Sequence, residues 1–353
     1  MNSYGNGVFG LEQPLLTLSV IAYNEHDYLD DILSDIYSQT YPKDRIDLIL
    51  VDSCSKDDTM DIFKCFCNSH SEEYYNIRIF VNETVTIQHG LNIVLDNAAG
   101  ELFLRIDAHA KLPCDFVEKE VAAVKDHDAA GGKRPCIIKK DTKWGNVLLM
   151  AEESMFGSSI AGYRKAEKPC FAKSLFHGIY RMDILRKIGF YDERLARTED
   201  NEMSYRLRSS GYKLYYDPDI VSYQYMRPDF RRMVKQKYSN GKWIGITSGI
   251  CPKCLMYYHF VPFLFVMAII FCAVLCCFSV FWPMITLAAL YTAADLLMTL
   301  TAVIPSGKKS SYCLLLPFIF PVLHIAYGIG TLCGFTALIF RRKKYVGKRE
   351  HVK

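Results

Sequence analysis

Asp107 and His109 stand one residue apart, directly after the apolar run Leu102 to Ile106. In an extended segment alternate side chains point to the same side, so a carboxylate and an imidazole can face one ligand. Such a pair suits a divalent cation, Mn2+ at least as well as the oxygen-preferring Mg2+. The same triplet also reads as a surface turn. Asp52 closes a second run, IDLILV, where a carboxylate can accept a hydrogen bond from a nucleobase N–H or a ribose hydroxyl. Its ordinary reading is an Asp turn opening a helix. Thr198, Glu199 and Asp200 open a helical pattern that also carries Glu202. A helix N-terminus favours an ionised carboxylate, a fit place for a base that takes a hydroxyl proton. An acidic first turn with no other role is the alternative. A cation site, a nucleoside acceptor and a base are together the parts that group transfer from a nucleotide diphosphate requires.

The elements that must position these residues follow from the periodicity. Leu16 to Ala22 (LTLSVIA) is a short apolar run before Tyr23-Asn24-Glu25 and reads as a buried strand. Asp30 to Ser38 has helical spacing, Ile46 to Val51 is a second strand, and Ser55 to Asp58 resembles a helix start leading through Ile62 and Phe63. Ile77 to Val81 is a third strand. Gln88 to Ala99 is helical and stops at Gly100, and Leu102 to Ile106 is a fourth strand. Four alternations of strand and helix predict an α/β fold, a mostly parallel sheet covered on both faces. Ligands of such sheets bind at the carboxyl ends of the strands, where Glu25, Asp52 and Asp107 fall. Residues 110–173, with Gly131, Gly132, Gly157 and Gly162, are less regular. Ile188 to Arg194 reads as a turn. A helix then runs from Thr198 to Ser209 and closes at Gly211, and a strand from Leu214 to Tyr216 ends at Pro218.

The chain of 353 residues is half apolar, unevenly so. No charged residue lies between Lys253 and Asp295, or between Lys309 and Arg341. The net charge of +4 is weak and gives no sign of a nucleic-acid partner. Its one cluster, Arg341 to Lys344, abuts an apolar segment, as expected for a cytoplasmic flank. Two spans of roughly 20 residues fit Phe260 to Ile304, divided at Trp282-Pro283. Tyr312 to Phe340 is a third apolar segment, rich in Pro and Gly, and reads as a span or, preferably, as a re-entrant broken helix. Re-entry keeps the basic cluster on the cytoplasmic side. Asp295 and His324 lie inside apolar sequence as functional candidates or inter-helix hydrogen-bonding groups. The 13 cysteines read as reduced thiols, and Cys251 and Cys254 lack the second pair that a zinc site needs. Met1 to Pro14 has no apolar stretch of the signal-peptide kind.

The expected organisation is a disordered segment 1–14, a catalytic domain 15–226, an interfacial amphipathic segment 227–256, a membrane region 257–340 and a basic cytoplasmic tail 341–353. SVIAYNE, SQTYP and ILVDSCSKDDT in Leu16 to Thr59, RIDAHA in Arg105 to Ala110, and Gly178 to Leu214 resemble the family 2 glycosyltransferases of the GT-A fold, in particular the succinoglycan-biosynthesis type. The resemblance runs from about Leu16 to Trp243. It implies an inverting, metal-dependent transfer from a UDP-sugar to an undecaprenyl-diphosphate-linked saccharide during surface-polysaccharide assembly. Asp52 would bind the nucleoside, with Ala22 and Glu25 lining its pocket and Arg105 and Asp107 completing the nucleotide-sugar site. Asp107 and His109 would hold Mn2+ or Mg2+ on the diphosphate. Asp200 would be the general base, with Glu199 beside it. Two departures from the family pattern stand out. Ser53 replaces the second Asp of the nucleotide motif. Gln236, Lys242 and Trp243 are similar to the Gln-x-x-Arg-Trp of processive synthases but wrongly spaced, so single-sugar addition on the acceptor side is expected. A polyprenyl-phosphate sugar synthase and a processive synthase are the alternatives.

Overall fold

The structure, a computed structural model, describes residues 13–157, 166–226, 229–306 and 311–340. The expectations for 1–12, Gly162, Arg227, Gly307 to Lys309 and the basic tail 341–353 lie outside the described residues.

The first half is the predicted alternation. Strands β1 (Leu16–Ala22), β2 (Ile46–Asp52), β3 (Asn76–Val81) and β4 (Leu102–Asp107) alternate with helices α1 (His26–Tyr37), α2 (Thr59–His70) and α3 (Ile87–Asn97). All four strands are parallel, in the order β3-β2-β1-β4. β1 and β2 are apolar almost throughout because both faces of the sheet are covered. Leu16, Leu18, Leu29, Ile32 and Leu48 are fully buried on the α1 and α2 face; Ile49, Leu91 and Val94 are fully buried on the α3 face. Each such side chain contributes about 1.5–3 kcal/mol by leaving water.

The register settles the convergence of the acidic strand ends. Ala22 lies opposite Asp52, and Ile21 opposite Asp107, so both carboxylates leave the same edge of the sheet.

The middle region is more regular than its sequence suggests. It holds β5 (Ala110–Lys111), α4 (Phe116–Val124), β6 (Ala129–Lys133), β7 (Cys136–Ile137), α5 (Lys143–Glu153) and β8 (Cys170–Ala172). After them come β9 (Ile179–Arg181), α6 (Met182–Ile188), α7 (Glu199–Ser209), β10 (Leu214–Val221) and β11 (Tyr223–Tyr225). The large sheet continues β4-β9-β6-β10-β8, with β9 antiparallel to both neighbours; β5, β11 and β7 form a small second sheet.

Several local expectations give way to tertiary context. α3 ends at Asn97, and Gly100 is not its cap. Gly100 sits against the β1 backbone, where a side chain would strike the Thr17 amide. β10 runs through Pro218, and its pairing with β6 breaks register there, as a missing N–H allows. Gly211, at φ +92°, follows α7 in the left-handed conformation expected of a helix-closing glycine.

The rest is helical: α8 (Phe230–Ile250), a one-turn 3-10 helix at Pro252–Cys254, then α9 (Val261–Cys277), α10 (Trp282–Ser306) and α11 (Leu316–Phe340). Three stretches, Tyr257–Cys277, Trp282–Ile304 and Ser311–Phe340, are long and apolar enough to cross a membrane. The break expected in the third segment is absent: α11 continues through Pro321. Its glycines pack instead. A methyl group on Gly330 would strike the Tyr238 carbonyl, and one on Gly334 the Lys242 carbonyl. Gly241 and Gly245 of α8 meet Tyr327 and Thr331 in the same way. Small residues on both helices let the two backbones touch. Trp144, Val147 and Leu148 of α5 and Met233 of α8 join Leu316, Ile319 and Phe320 of α11 in a third apolar core. The α/β half and the apolar half are thereby packed together. The segment read as interfacial is thus a 21-residue helix lying along α11. His324 makes inter-helix contacts, receiving the Tyr291 hydroxyl at 2.9 Å and donating to the Phe156 carbonyl at 2.6 Å.

Candidate active site

Arg105 and Asp107 occupy alternate positions at the end of β4. Arg105 Nη2 lies 3.1 Å from Asp107 Oδ1. Its Nη1 reaches Asp200 Oδ1 at 3.1 Å and Glu199 Oε1 at 3.5 Å. One guanidinium therefore fastens the strand end to the first turn of α7, where the sequence placed the base.

The other oxygen of Asp107 faces Arg134 Nη1 at 3.3 Å and His177 Nε2 at 3.3 Å. Burial opposes ionisation of Asp107, but the Arg105 charge, then His177 and Arg134, hold its carboxyl well below the usual range. Burial likewise opposes the Arg105 charge, and Asp200, Asp107 and Glu199 outweigh it. Glu199 behaves differently. Burial, and then the charge of Asp200, push its pKa from 4.5 to about 7 despite Arg105. Asp200 is the more open of the pair, its side chain 31% exposed against 9% for Glu199. Glu199 also accepts from Gln88 Nε2 at 3.4 Å. The Thr198 hydroxyl makes no cap to α7; it meets the Thr247 hydroxyl of α8 at 2.6 Å.

His109 lies beside Glu25, Nδ1 to Oε1 at 3.5 Å, and Gln224 Nε2 is 2.8 Å from its Nε2. The amide of Gln224 donates, so His109 Nε2 accepts and its proton sits on Nδ1, facing Glu25. The lone pair that a cation would take is the one now turned to Gln224. Asp52 is almost fully buried and accepts from the Ser55 amide at 3.3 and 3.2 Å, closing an Asp turn that lies ahead of α2, whose first amide, that of Thr59, donates to Asp57 Oδ1 at 3.1 Å. Ala22 is buried beside it, and Ser53 accepts from Asn82 Nδ2 at 3.1 Å.

The structure therefore brings Arg105, Asp107, Glu199 and Asp200 into one network, with Glu25 and His109 as a pair near the same strand end. The residues Gln236, Lys242 and Trp243 are on α8. The Lys242 backbone lies on the glycine seam with α11, and Gln236 is exposed. Trp243 shares a helix face with Asn240 and Thr247, which bond Arg197 and Thr198 at the start of α7. His177, Arg134 and Gln224 escape the sequence reading because each arrives from a distant element. The one local hint is the backbone of His177, φ +46°, unusual for a residue with a side chain and held here by Ser222 Oγ at 2.9 Å and by Asp107.

Among the described residues no three His, Cys, Asp or Glu side chains converge as a cation cage. A carboxylate and an imidazole are ligands that a divalent cation such as Mn2+ accepts, its other ligands coming from a bound diphosphate; here the Asp107 oxygens face Arg105, Arg134 and His177, and His109 faces Glu25 and Gln224.

Residues 17–189 match the family model described as Glycosyl transferase family 2. The chain is 25% identical over 238 residues, 65% of its length and 73% of the relative's, to a dolichyl N-acetyl-α-D-glucosaminyl phosphate 3-β-D-2,3-diacetamido-2,3-dideoxy-β-D-glucuronosyltransferase of Methanococcus voltae. It is 24% identical over 148 residues, 41% of this chain and 44% of the relative, to the succinoglycan biosynthesis protein ExoA of Rhizobium meliloti. Among solved structures, a mannosyltransferase of Pyrobaculum calidifontis in complex with GDP-Man and Mn2+ has the same fold, with a TM-score of 0.58 and 19% identity over 92% of this chain and 88% of that one. With its sheet, its acidic strand ends and these similarities, residues 17–189 carry a family 2 glycosyltransferase domain, and the chain has the GT-A-like fold followed by three apolar helices.

Proposed function

We propose that this chain is an inverting, divalent-cation-dependent transferase that moves a sugar from a UDP-sugar to a saccharide carried on a polyprenyl phosphate or diphosphate lipid. The observation that carries the reading is the Arg105 bridge, which sets an ionised Asp107 and the partly open Asp200 in one network. The dolichyl-phosphate-linked acceptor in the name of the Methanococcus voltae relative, and the packing of α5 and α8 on α11, support an acceptor presented from a lipid surface.

In this reading Asp52 and Ala22 bound the nucleoside end, with Glu25 between that end and His109. Asp107 and His109 hold Mn2+ or Mg2+, which when bound offsets the negative charge of the leaving diphosphate. Asp200 takes the proton of the acceptor hydroxyl as that oxygen attacks the anomeric carbon from the face opposite the diphosphate. Arg105 orients Asp200 and keeps it beside the donor. One base suffices for inversion. The catalytic half lies on the cytoplasmic face of a membrane crossed by α9 and α10, and α11, packed along α8, does not cross it, so the basic sequence Arg341 to Lys344 stays on the cytoplasmic side.

A donor screen on the detergent-solubilised protein tests this. UDP and GDP release is followed from a panel of nucleotide sugars with Mn2+ or Mg2+, with and without a lipid-linked saccharide. Acceptor-dependent release from a single UDP-sugar supports the reading. Release driven by bare polyprenyl phosphate replaces it with a polyprenyl-phosphate sugar synthase, and release from GDP-sugars alone overturns the UDP assignment.

A further inference from the structure

Cys251 and Cys254 are the chain's only Cys-x-x-Cys pair. Cys251 ends α8, its amide donating to the Thr247 carbonyl at 2.8 Å; Pro252 then starts the one-turn 3-10 helix, and the Cys254 amide donates back to the Cys251 carbonyl at 3.2 Å. A turn closed by an i to i+3 hydrogen bond keeps its end Cα atoms within about 7 Å. A disulfide asks for about 4.4–6.8 Å, so this backbone can accept one. Cys251 is half-buried and Cys254 buried. The neighbouring Cys254, by its side chain and then its amide, brings the Cys251 thiol down from 9 to about 7 against the effect of burial. The Cys254 thiol, beside Cys251 and more deeply buried, is pushed up. Among the described residues no third metal-ligating side chain joins the pair.

We propose that Cys251 and Cys254 form a redox-active dithiol, oxidised to an intramolecular disulfide by small disulfides of the glutathione class and felt by the helix that carries the catalytic acids. Cys251 thiolate attacks one sulfur of the small disulfide, forming a mixed disulfide and releasing one thiolate. Cys254 then loses its proton and attacks the Cys251 sulfur, forming the internal disulfide and releasing the second thiol. The dithiol gives up two electrons, and one small disulfide becomes two thiols. The turn packs against α7, where Glu202 and Arg206, joined at 2.6 Å, are electrostatic neighbours of Cys251. α8 itself is tied to the start of α7 through Thr247 and Thr198. Closing the disulfide removes the Cys251 charge and fixes the turn. The effect on sugar transfer rests on the function proposed above; the dithiol chemistry does not.

The whole protein in detergent is equilibrated across ratios of reduced to oxidised glutathione, quenched in acid, alkylated and digested for mass spectrometry. The expected product is a Cys251–Cys254 disulfide, reversed by dithiothreitol. In Cys254→Ser the mixed disulfide accumulates on Cys251, and in the reduced wild type Cys251 alkylation rises with a midpoint near pH 7. A wild-type protein that stays fully alkylated at both positions in oxidised glutathione overturns the dithiol, whatever the activity. The transfer rate of the wild type, measured oxidised and reduced, is expected to change at least ~3-fold, with no change in Cys251→Ser. Equal wild-type rates with the disulfide formed overturn the coupling to α7.

Discussion

Asp200 and Glu199 are neighbours in sequence with opposite situations. Asp200 is partly open and anchored by Arg105; Glu199 is enclosed and pushed up to about 7. If Asp200 is the base, Asp200→Asn lowers the transfer rate roughly 10²–10⁴-fold while UDP affinity stays near wild type. Loss of UDP binding in that variant would sink the assignment. Glu199 gives a separate signature in stability. A carboxyl whose folded pKa lies above its unfolded value stabilises the fold below about pH 4.5, and that contribution is lost as pH rises through about 7. Glu199→Gln keeps the neutral shape at every pH. Its melting temperature relative to wild type should therefore rise between pH 5 and pH 8, by a difference on the order of 1–3 kcal/mol or about 2–4 °C for each. A constant gap at both pH values would show that burial does not govern this group. Asp107 was legible because it closes an apolar strand. His177 and Arg134, which hold its second oxygen, were not, because no local pattern marks a residue whose partner lies 70 or 27 positions away.

At the scale of elements, α8 is the piece that joins the two halves. One of its faces meets α11 through Gly241 and Gly245, and another bonds the start of α7 through Asn240 and Thr247. The buried Lys237 adds an ion pair to Glu152 of α5 at 2.9 Å. Gly245→Leu should drive α8 away from the Thr331 carbonyl and cost about 1–3 kcal/mol by overpacking. Limited proteolysis checks this, with cleavage between α8 and α9 expected at lower protease concentration than in wild type. Unchanged cleavage and activity would mean that the seam does not position the catalytic helix. The sequence marked α8 as basic and aromatic, which suits a helix on a membrane surface. Its glycines carried no meaning until α11 was placed beside them, since a close approach is a property of two helices.

At the scale of the whole molecule, the proposed cation site is incomplete in the protein alone. Asp107 and His109 offer two ligands, and the described residues supply no third. Mn2+ should therefore bind weakly to the nucleotide-free protein, with an affinity at least ~10-fold higher when UDP is present, by reciprocal coupling of the two ligands. Isothermal titration with and without UDP decides this; tight Mn2+ binding without nucleotide would require a different site. The arrangement also sets α11 apart from its apolar companions, since 39% of its most apolar window is covered by protein against 6% for α10.

The sequence by itself determined what repeats locally. Strand–helix alternation, apolar runs without charge, and acidic residues at strand ends follow from the periods 2 and 3.6 and from the exclusion of charge from apolar interiors. They set the fold class, the separation of a catalytic half from an apolar half, and the residues worth testing. Tertiary structure decided what depends on distant segments meeting. It turned Gly100 from a helix stop into a point of backbone contact, carried β10 past Pro218, and kept α11 unbroken by using its glycines for packing. It also made Arg105 the link between β4 and α7. An ion pair across 95 residues leaves no periodic trace, because its energy arises only when folding has excluded water around both charges.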